Sequence, residues 1–191
     1  MAMPTMRRDW TVDDLLDLPD DDGNRYEVLD GELLVTPAPS WAHQRVIRAL
    51  SQLLTAYLTP QGIGDVVFAP ADVIFSKHRA LQPDLFVAPL MPDGKLPERL
   101  SDVGRLLLAV EVLSPSTARV DRVKKRRVYR EEDVPEYWII DVDARTIERS
   151  TLRDDRIDIY DSTLEWLPEG ATEPLHVDIE KLLRDAFHWA R

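Results

Sequence analysis

The sequence contains no cysteine. That excludes disulfides, thiolate zinc sites and cysteine nucleophiles, and leaves oxygen or histidine to hold any metal. Such donors favour Mg²⁺ or Mn²⁺ over a structural Zn²⁺. Glycine is scarce, at seven residues, and none sits in a phosphate-cradling loop or a dinucleotide fingerprint. No Ser-His-Asp arrangement can be picked out. No apolar run approaches the ~20 residues of a membrane span, and residues 1–10 lack the apolar core of a signal peptide. A cytoplasmic protein with no membrane partner is the expectation.

What is present is the composition of a globular protein. With 191 residues, 44% apolar and 31% charged, the chain can bury a real core, and one domain over 1–191 is expected. The net charge of −11 argues against a generic nucleic-acid coat. Its distribution is uneven, because residues 119–130 hold seven Lys or Arg against one Asp. The local balance is +6, which leaves −17 for the remainder. Most such runs are solvated helix faces. A cationic helix on an acidic protein can also hold one phosphate while disfavouring loose binding.

Local signals give an order of elements. Thr11-Val12-Asp13-Asp14 resembles a capping box with Asp in place of Glu, and opens a short helix ending near Pro19. Residues 25–29 and 32–36 flank Asp30-Gly31, a strong hairpin signal, and Pro37 and Pro39 end the pair. Ser40 caps a helix to about Thr59, with Val46, Ile47, Leu50, Leu53, Leu54, Tyr57 and Leu58 in one apolar stripe. Strands are expected at 65–75 (interrupted at Pro70), 84–88 and 106–113, with a polar loop over 90–104. Ser116 or Thr117 is the expected cap of the basic helix. A buried strand at 136–142, a turn at Asp143-Ala144, a small hairpin of 146–152 and 156–160, and a helix at 179–187 complete the chain. The order predicts an α/β fold, a mixed central sheet flanked by helices, with an N-terminal hairpin and a C-terminal β-hairpin extension.

The most informative stretch is Val110-Glu111-Val112-Leu113-Ser114-Pro115. A continuous apolar strand is usually buried on both faces. A lone Glu111 in it must be neutralised, hydrogen-bonded or bound to a metal, because burying an unpaired charge costs several kcal/mol or more. Asp84 heads the preceding strand. If the two strands are neighbours, both carboxylates converge on one hard cation. Asp72 is a third acid within possible reach. Glu32, beside the hairpin turn, competes with Glu27 as an acid from the N-terminal part, and a solvent-facing strand residue is the ordinary reading of either. His43 interrupts the start of the long helix, where a core or capping role is usual and a role at a metal or phosphate is the alternative. Tyr137 and Trp138 read as core, and Glu136 as a charge at the start of a strand.

These segments carry a resemblance. Gln82-Pro83-Asp84, Val110 through Thr117, Asp121-x₃-Lys125-x₃-Tyr129, and Val134-Pro135-Glu136-Tyr137-Trp138 resemble a large bacterial family of restriction-endonuclease-like proteins in the PD-(D/E)xK nuclease superfamily. Arg25 to Leu33 and His43-Gln44 are similar to its upstream pattern, and the likeness covers about residues 10–155. The resemblance implies a restriction-endonuclease-like fold, a Mg²⁺ or Mn²⁺ cofactor held by Asp84 and Glu111, and cleavage of phosphodiesters in DNA. The chain departs from the superfamily at Leu113, where a lysine would share the face of Glu111. The family pattern points instead to Lys125 on the following helix. Helix periodicity alone, with Val120, Val123 and Val128 as the apolar face, selects Lys124.

The resemblance thus implies Asp84, Glu111 and Lys125 as catalytic, and the reading of the residues themselves adds Glu32, His43, Asp72 and Lys124 as accessory candidates. Arg122 and Arg126 are expected to position the phosphate backbone without reading bases. Contact with DNA is expected to be weak and salt-sensitive, and a homodimer is left open. Two other readings stand beside the nuclease: a nuclease-fold module that binds nucleic acid or a protein without cleaving, and an assembly domain in which the acids are structural. The missing strand lysine and the acidic charge speak for the first of these.

Overall fold

The computed structural model describes residues 9–19, 23–91, 93–95, 103, 105–154 and 156–187. Most of the expected 90–104 loop lies outside them. The first helix, α1 (Val12–Leu15), has the expected capping box: Asp14 Oδ2 accepts from Thr11 N–H at 2.9 Å, and Thr11 Oγ1 accepts from Asp14 N–H at 3.4 Å. Strands β1 (Asn24–Leu29) and β2 (Glu32–Pro37) pair antiparallel across Asp30-Gly31. Both turn residues have positive φ, at 52° and 76°, as a tight two-residue turn with the right twist requires.

Helix α2 (Trp41–Gln61) is capped by Ser40, whose Oγ accepts from His43 N–H at 3.3 Å. It runs past the expected end at Thr59, with Pro60 inside its last turn. Gly62, left-handed at φ 63°, closes it. Val46, Ile47, Leu50, Leu54 and Leu58 form its buried stripe.

The expected 65–75 strand is two strands in two sheets. β3 (Gly64–Phe68) is an edge of the central sheet, whereas β4 (Val73–Ser76) turns at residues 77–78 into β5 (Arg79–Leu81), an element too short to show in the sequence pattern. Together β2, β1, β5 and β4 make a four-stranded sheet. The central sheet is completed by β6 (Leu85–Pro89), β7 (Leu108–Val112), β8 (Glu136–Asp141), β9 (Thr146–Thr151) and β10 (Ile157–Tyr160), in the order β10-β9-β8-β7-β6-β3. Only the β7–β8 pair is parallel among its neighbours. The expected C-terminal hairpin, β9–β10, therefore extends this sheet. A further antiparallel pair, β11 (Thr163–Trp166) and β12 (Leu175–Asp178), precedes α4 (Ile179–Phe187).

Side chains alternate across β7. Leu108, Val110 and Val112 pack with α2, α4, Trp138 and Trp166, whereas Ala109 packs on the other face with Val128, Tyr129 and Tyr137. Glu111 shares the face of Ala109. The basic run begins beside that face as a π-helical turn (Val120–Lys125) that continues into α3 (Arg126–Glu131). Neither Ser116 nor Thr117 caps it, and its N-cap residue Arg119 makes no side-chain capping bond; in the turn upstream, Ser114 Oγ accepts from Thr117 N–H at 3.3 Å and Ser114 O from Ala118 N–H at 3.0 Å. Among the described residues, no helix is long and apolar enough to cross a membrane.

Candidate active site

Register places the two strand acids. Leu85 stands opposite Val110 in the antiparallel β6–β7 pair, so one step back along β6 and one step on along β7 bring Asp84 beside Glu111. The link is direct, since Val112 N–H donates to Asp84 Oδ2 at 2.8 Å. Both acids line a cavity of about 660 Å³, together with Arg25, Glu27, His43, Asp121 and Lys125.

Each acid is engaged by cations. Arg25 Nη1 donates to Asp84 Oδ1 at 2.5 Å. His43 Nε2 lies 2.9 Å from Asp84 Oδ2. Lys125 Nζ sits 2.8 Å from Glu27 Oε1 and 2.9 Å from Glu111 Oε1, with Asp121 Oδ1 at 4.0 Å. Tyr129 OH also reaches Glu111 Oε1, at 3.3 Å. Glu27 additionally accepts from Gln82 N–H at 2.8 Å.

The electrostatics follow from a surplus of carboxylates. Burial, followed by the neighbouring Asp84, Asp121 and Glu27, pushes Glu111 well above the usual carboxylate range, and Lys125 only partly opposes this. Lys125 itself moves up: burial works against its charge, but Glu111, Glu27 and Asp121 outweigh it. It therefore stays protonated at neutral pH. For Asp84, burial works upward, yet His43, Arg25 and Val112 N–H hold it at about 2. Burial pushes Asp121 up to about 6, against the pull of Lys125 and Thr117.

Asp121 gives a pH test. A carboxyl with a raised folded pKa stabilises the fold most below its unfolded value of 3.8, and that contribution is lost as pH rises through about 6. In chelator, Asp121→Asn should match the wild type near pH 4 and become the more stable protein by pH 7, by on the order of 1–3 kcal/mol. Urea unfolding at the two pH values checks this, and a pH-independent difference would contradict it.

Several expectations are corrected. Lys124 is not in the cavity, and its Nζ reaches Glu32 Oε2 at 2.6 Å across a half-exposed pair. The helical periodicity that selected Lys124 fails because the segment is a π turn, whose i→i+5 pattern alters angular spacing. Val123, one of its supposed apolar markers, is 61% exposed. Glu32 is thereby committed to Lys124, and buried Glu27 is the acid supplied by the N-terminal hairpin. Asp72 is exposed and accepts from Gln82 Nε2 at 2.8 Å, outside the cavity lining. Arg122 is held by Glu148 at 2.5 Å and Asp141 at 3.0 Å. Arg126 lines a separate surface hollow with Arg130 and Tyr137. Neither faces the acids.

Arg25 and Asp121 were not singled out as site residues from the sequence, and Glu27 was weighed only as the competitor of Glu32. Positions 25 and 27 share one strand face, so recognising either as inward would have brought the other with it.

A model of the Uma2 family, described as "Putative restriction endonuclease", matches residues 12–182. The chain belongs to this family. No curated protein matches it. Among solved structures, a "putative nuclease belonging to DUF820" from Anabaena variabilis ATCC 29413 superposes with a TM-score of 0.75 at 20% identity, over 93% of this chain and 99% of that one. That likeness extends to the fold and, as in the family, the fold is restriction-endonuclease-like.

Among the described residues, no three His, Asp or Glu side chains form a ready metal cage. The donor set nonetheless fits Mg²⁺, which is commonly held by one or two carboxylates with waters and substrate phosphate filling the other positions. Two buried carboxylates and an excess of acids over cations around the cavity are features of that kind.

Proposed function

We propose that the chain is a Mg²⁺- or Mn²⁺-dependent nuclease that hydrolyses phosphodiester bonds in DNA at the Asp84–Glu111–Lys125 cluster. The observation that supports it most is the convergence of these three side chains on the cavity floor, on a family fold associated with nucleases. Asp84 and Glu111 would hold the ion. When bound, it supplies positive charge to a non-bridging phosphate oxygen and acidifies the attacking water. Lys125 is too firmly protonated to act as a base. Its Nζ donates instead, orienting the water or stabilising charge that builds on the phosphate. Glu27 holds Lys125 at the correct point, and Tyr129 fixes the Glu111 carboxylate.

The basic run contributes less than its composition suggests. Arg122, Lys124, Lys125 and Arg127 are all committed to carboxylates of the same chain. Binding to DNA should consequently be weak, with a slope of log K against log[salt] on the order of −2 to −4. Fluorescence anisotropy across a salt series measures it, and a slope near about −8 would reveal a wider cationic surface. The test of the function itself is a Mg²⁺ and Mn²⁺ titration of cleavage on single-stranded, duplex and supercoiled DNA. Cleavage that requires the ion supports the reading. Binding without cleavage on every substrate would select the non-catalytic module instead, which is favoured by the hold of Arg25 on Asp84.

A further inference from the structure

We infer that Arg25 is a displaceable latch: it holds Oδ1 of Asp84, the oxygen an ion would take, and becomes the phosphate-holding residue once it is released. The inference rests on the nuclease reading above and assigns the substrate contact that reading lacks.

Three observations carry it. The first is the occupancy of Asp84. Its Oδ2 faces Val112 N–H and His43 Nε2, both fixed by backbone or by burial in α2, so Oδ1 is the oxygen that can be cleared. Arg25 alone occupies Oδ1 among the contacts of the described residues. Second, the guanidinium can move. Arg25 lies near the open end of the β1–β2 hairpin, opposite Thr36, and its side chain keeps 15% of its surface exposed. Lys125, by contrast, is clamped between Glu27 and Glu111 in the interior.

Third, the cavity has few positive groups to offer an anionic substrate. Arg25 and Lys125 are the Lys and Arg side chains among its described lining, and Arg122, Lys124 and Arg127 of the basic run are held by other carboxylates. A divalent ion at Asp84 repels a guanidinium on the same carboxylate. Arg25, released from Asp84, would then be free within the cavity to take a substrate phosphate. Its planar fork matches phosphate oxygens in a way a lysine does not. Arg25 also compensates part of the buried charge of Asp84, alongside Val112 N–H and His43.

The test compares wild type with Arg25→Gln and Arg25→Lys in two measurements. Calorimetric titration with Mn²⁺ alone should show Arg25→Gln binding about tenfold more tightly, the scale on which an adjacent charge moves a carboxylate's preference for a cation. Arg25→Lys should remain close to wild type. Steady-state cleavage of a single-stranded oligonucleotide should show KM raised about tenfold or more for Arg25→Gln, as for loss of a charged hydrogen bond, with partial recovery in Arg25→Lys. Circular dichroism confirms that each variant is folded. Unchanged or weaker Mn²⁺ binding by folded Arg25→Gln would overturn the latch, as would an unchanged KM. If the wild type itself takes up no Mn²⁺, the nuclease reading fails and the latch falls with it. If the wild type binds Mn²⁺ and cleaves while the variants behave identically, the latch alone fails.

Discussion

Lys125→Ala is expected to lower turnover by about 10²-fold or more and to destabilise the metal-free protein by about 3–5 kcal/mol. The rate effect is that of removing one preorganised positive group from a transition state. The stability effect arises because the substitution strands Glu27, Glu111 and Asp121 together in the interior, and breaking a buried ion pair from one side leaves an uncompensated charge. Against a total stability of about 5–15 kcal/mol for a typical protein, this is a large loss. Mn²⁺ should recover part of it, since the ion neutralises the same carboxylates. Lys125→Met, measured in saturating Mn²⁺, preserves more packing and keeps the kinetic test possible if the alanine variant unfolds. Lys124→Ala is the control: its partner Glu32 is half-exposed, and such pairs contribute about 0–1 kcal/mol. Turnover of Lys124→Ala should match wild type. An inactive, folded Lys124→Ala beside an active Lys125→Ala would reverse the assignment.

Glu111→Gln should remove Mn²⁺ binding by calorimetry while leaving the metal-free fold intact or more stable. This asymmetry with Lys125 follows from the geometry. Without the Glu111 charge, Lys125 still has Glu27 at 2.8 Å and Asp121 at 4.0 Å, so no cation is orphaned. The substitution also removes a carboxyl that burial, and then repulsion from Asp84, Asp121 and Glu27, keeps well above the usual carboxylate range. Thermal unfolding in chelator should therefore show an equal or higher midpoint for the variant. Unchanged Mn²⁺ affinity in a folded Glu111→Gln protein would place the ion elsewhere.

The parts of this fold that the sequence revealed were those encoded by local chemistry. Asp30-Gly31 announced a hairpin because both positions need positive φ, and Ser40 announced α2 through an available cap. Glu111 stood out because a carboxylate inside an apolar strand must have a partner. Its neighbour Asp84 followed once adjacent strands were assumed. The less legible parts depend on tertiary context. β5 has three residues and shows no period. The division of 65–75 between two sheets is made by pairing with β6 on one side and β5 on the other, which the local pattern does not record. Arg25 and Glu27 are held inward by Asp84 and Lys125, partners far off in the chain that no local pattern announces. Most instructive is Lys125, where a regular 100° helix gave Lys124 and a π turn gives its neighbour. The family pattern had pointed to the same residue without requiring that the turn be known.

The most direct test is cleavage of supercoiled DNA and of a single-stranded oligonucleotide by wild type and Glu111→Gln, side by side, with Mg²⁺, with Mn²⁺ and with chelator. An active site at Asp84, Glu111 and Lys125 predicts ion-dependent cleavage by the wild type, none in chelator, and a loss of at least about 10²-fold in the folded variant. Equal cleavage by the two proteins, or cleavage that persists undiminished in chelator, would contradict it.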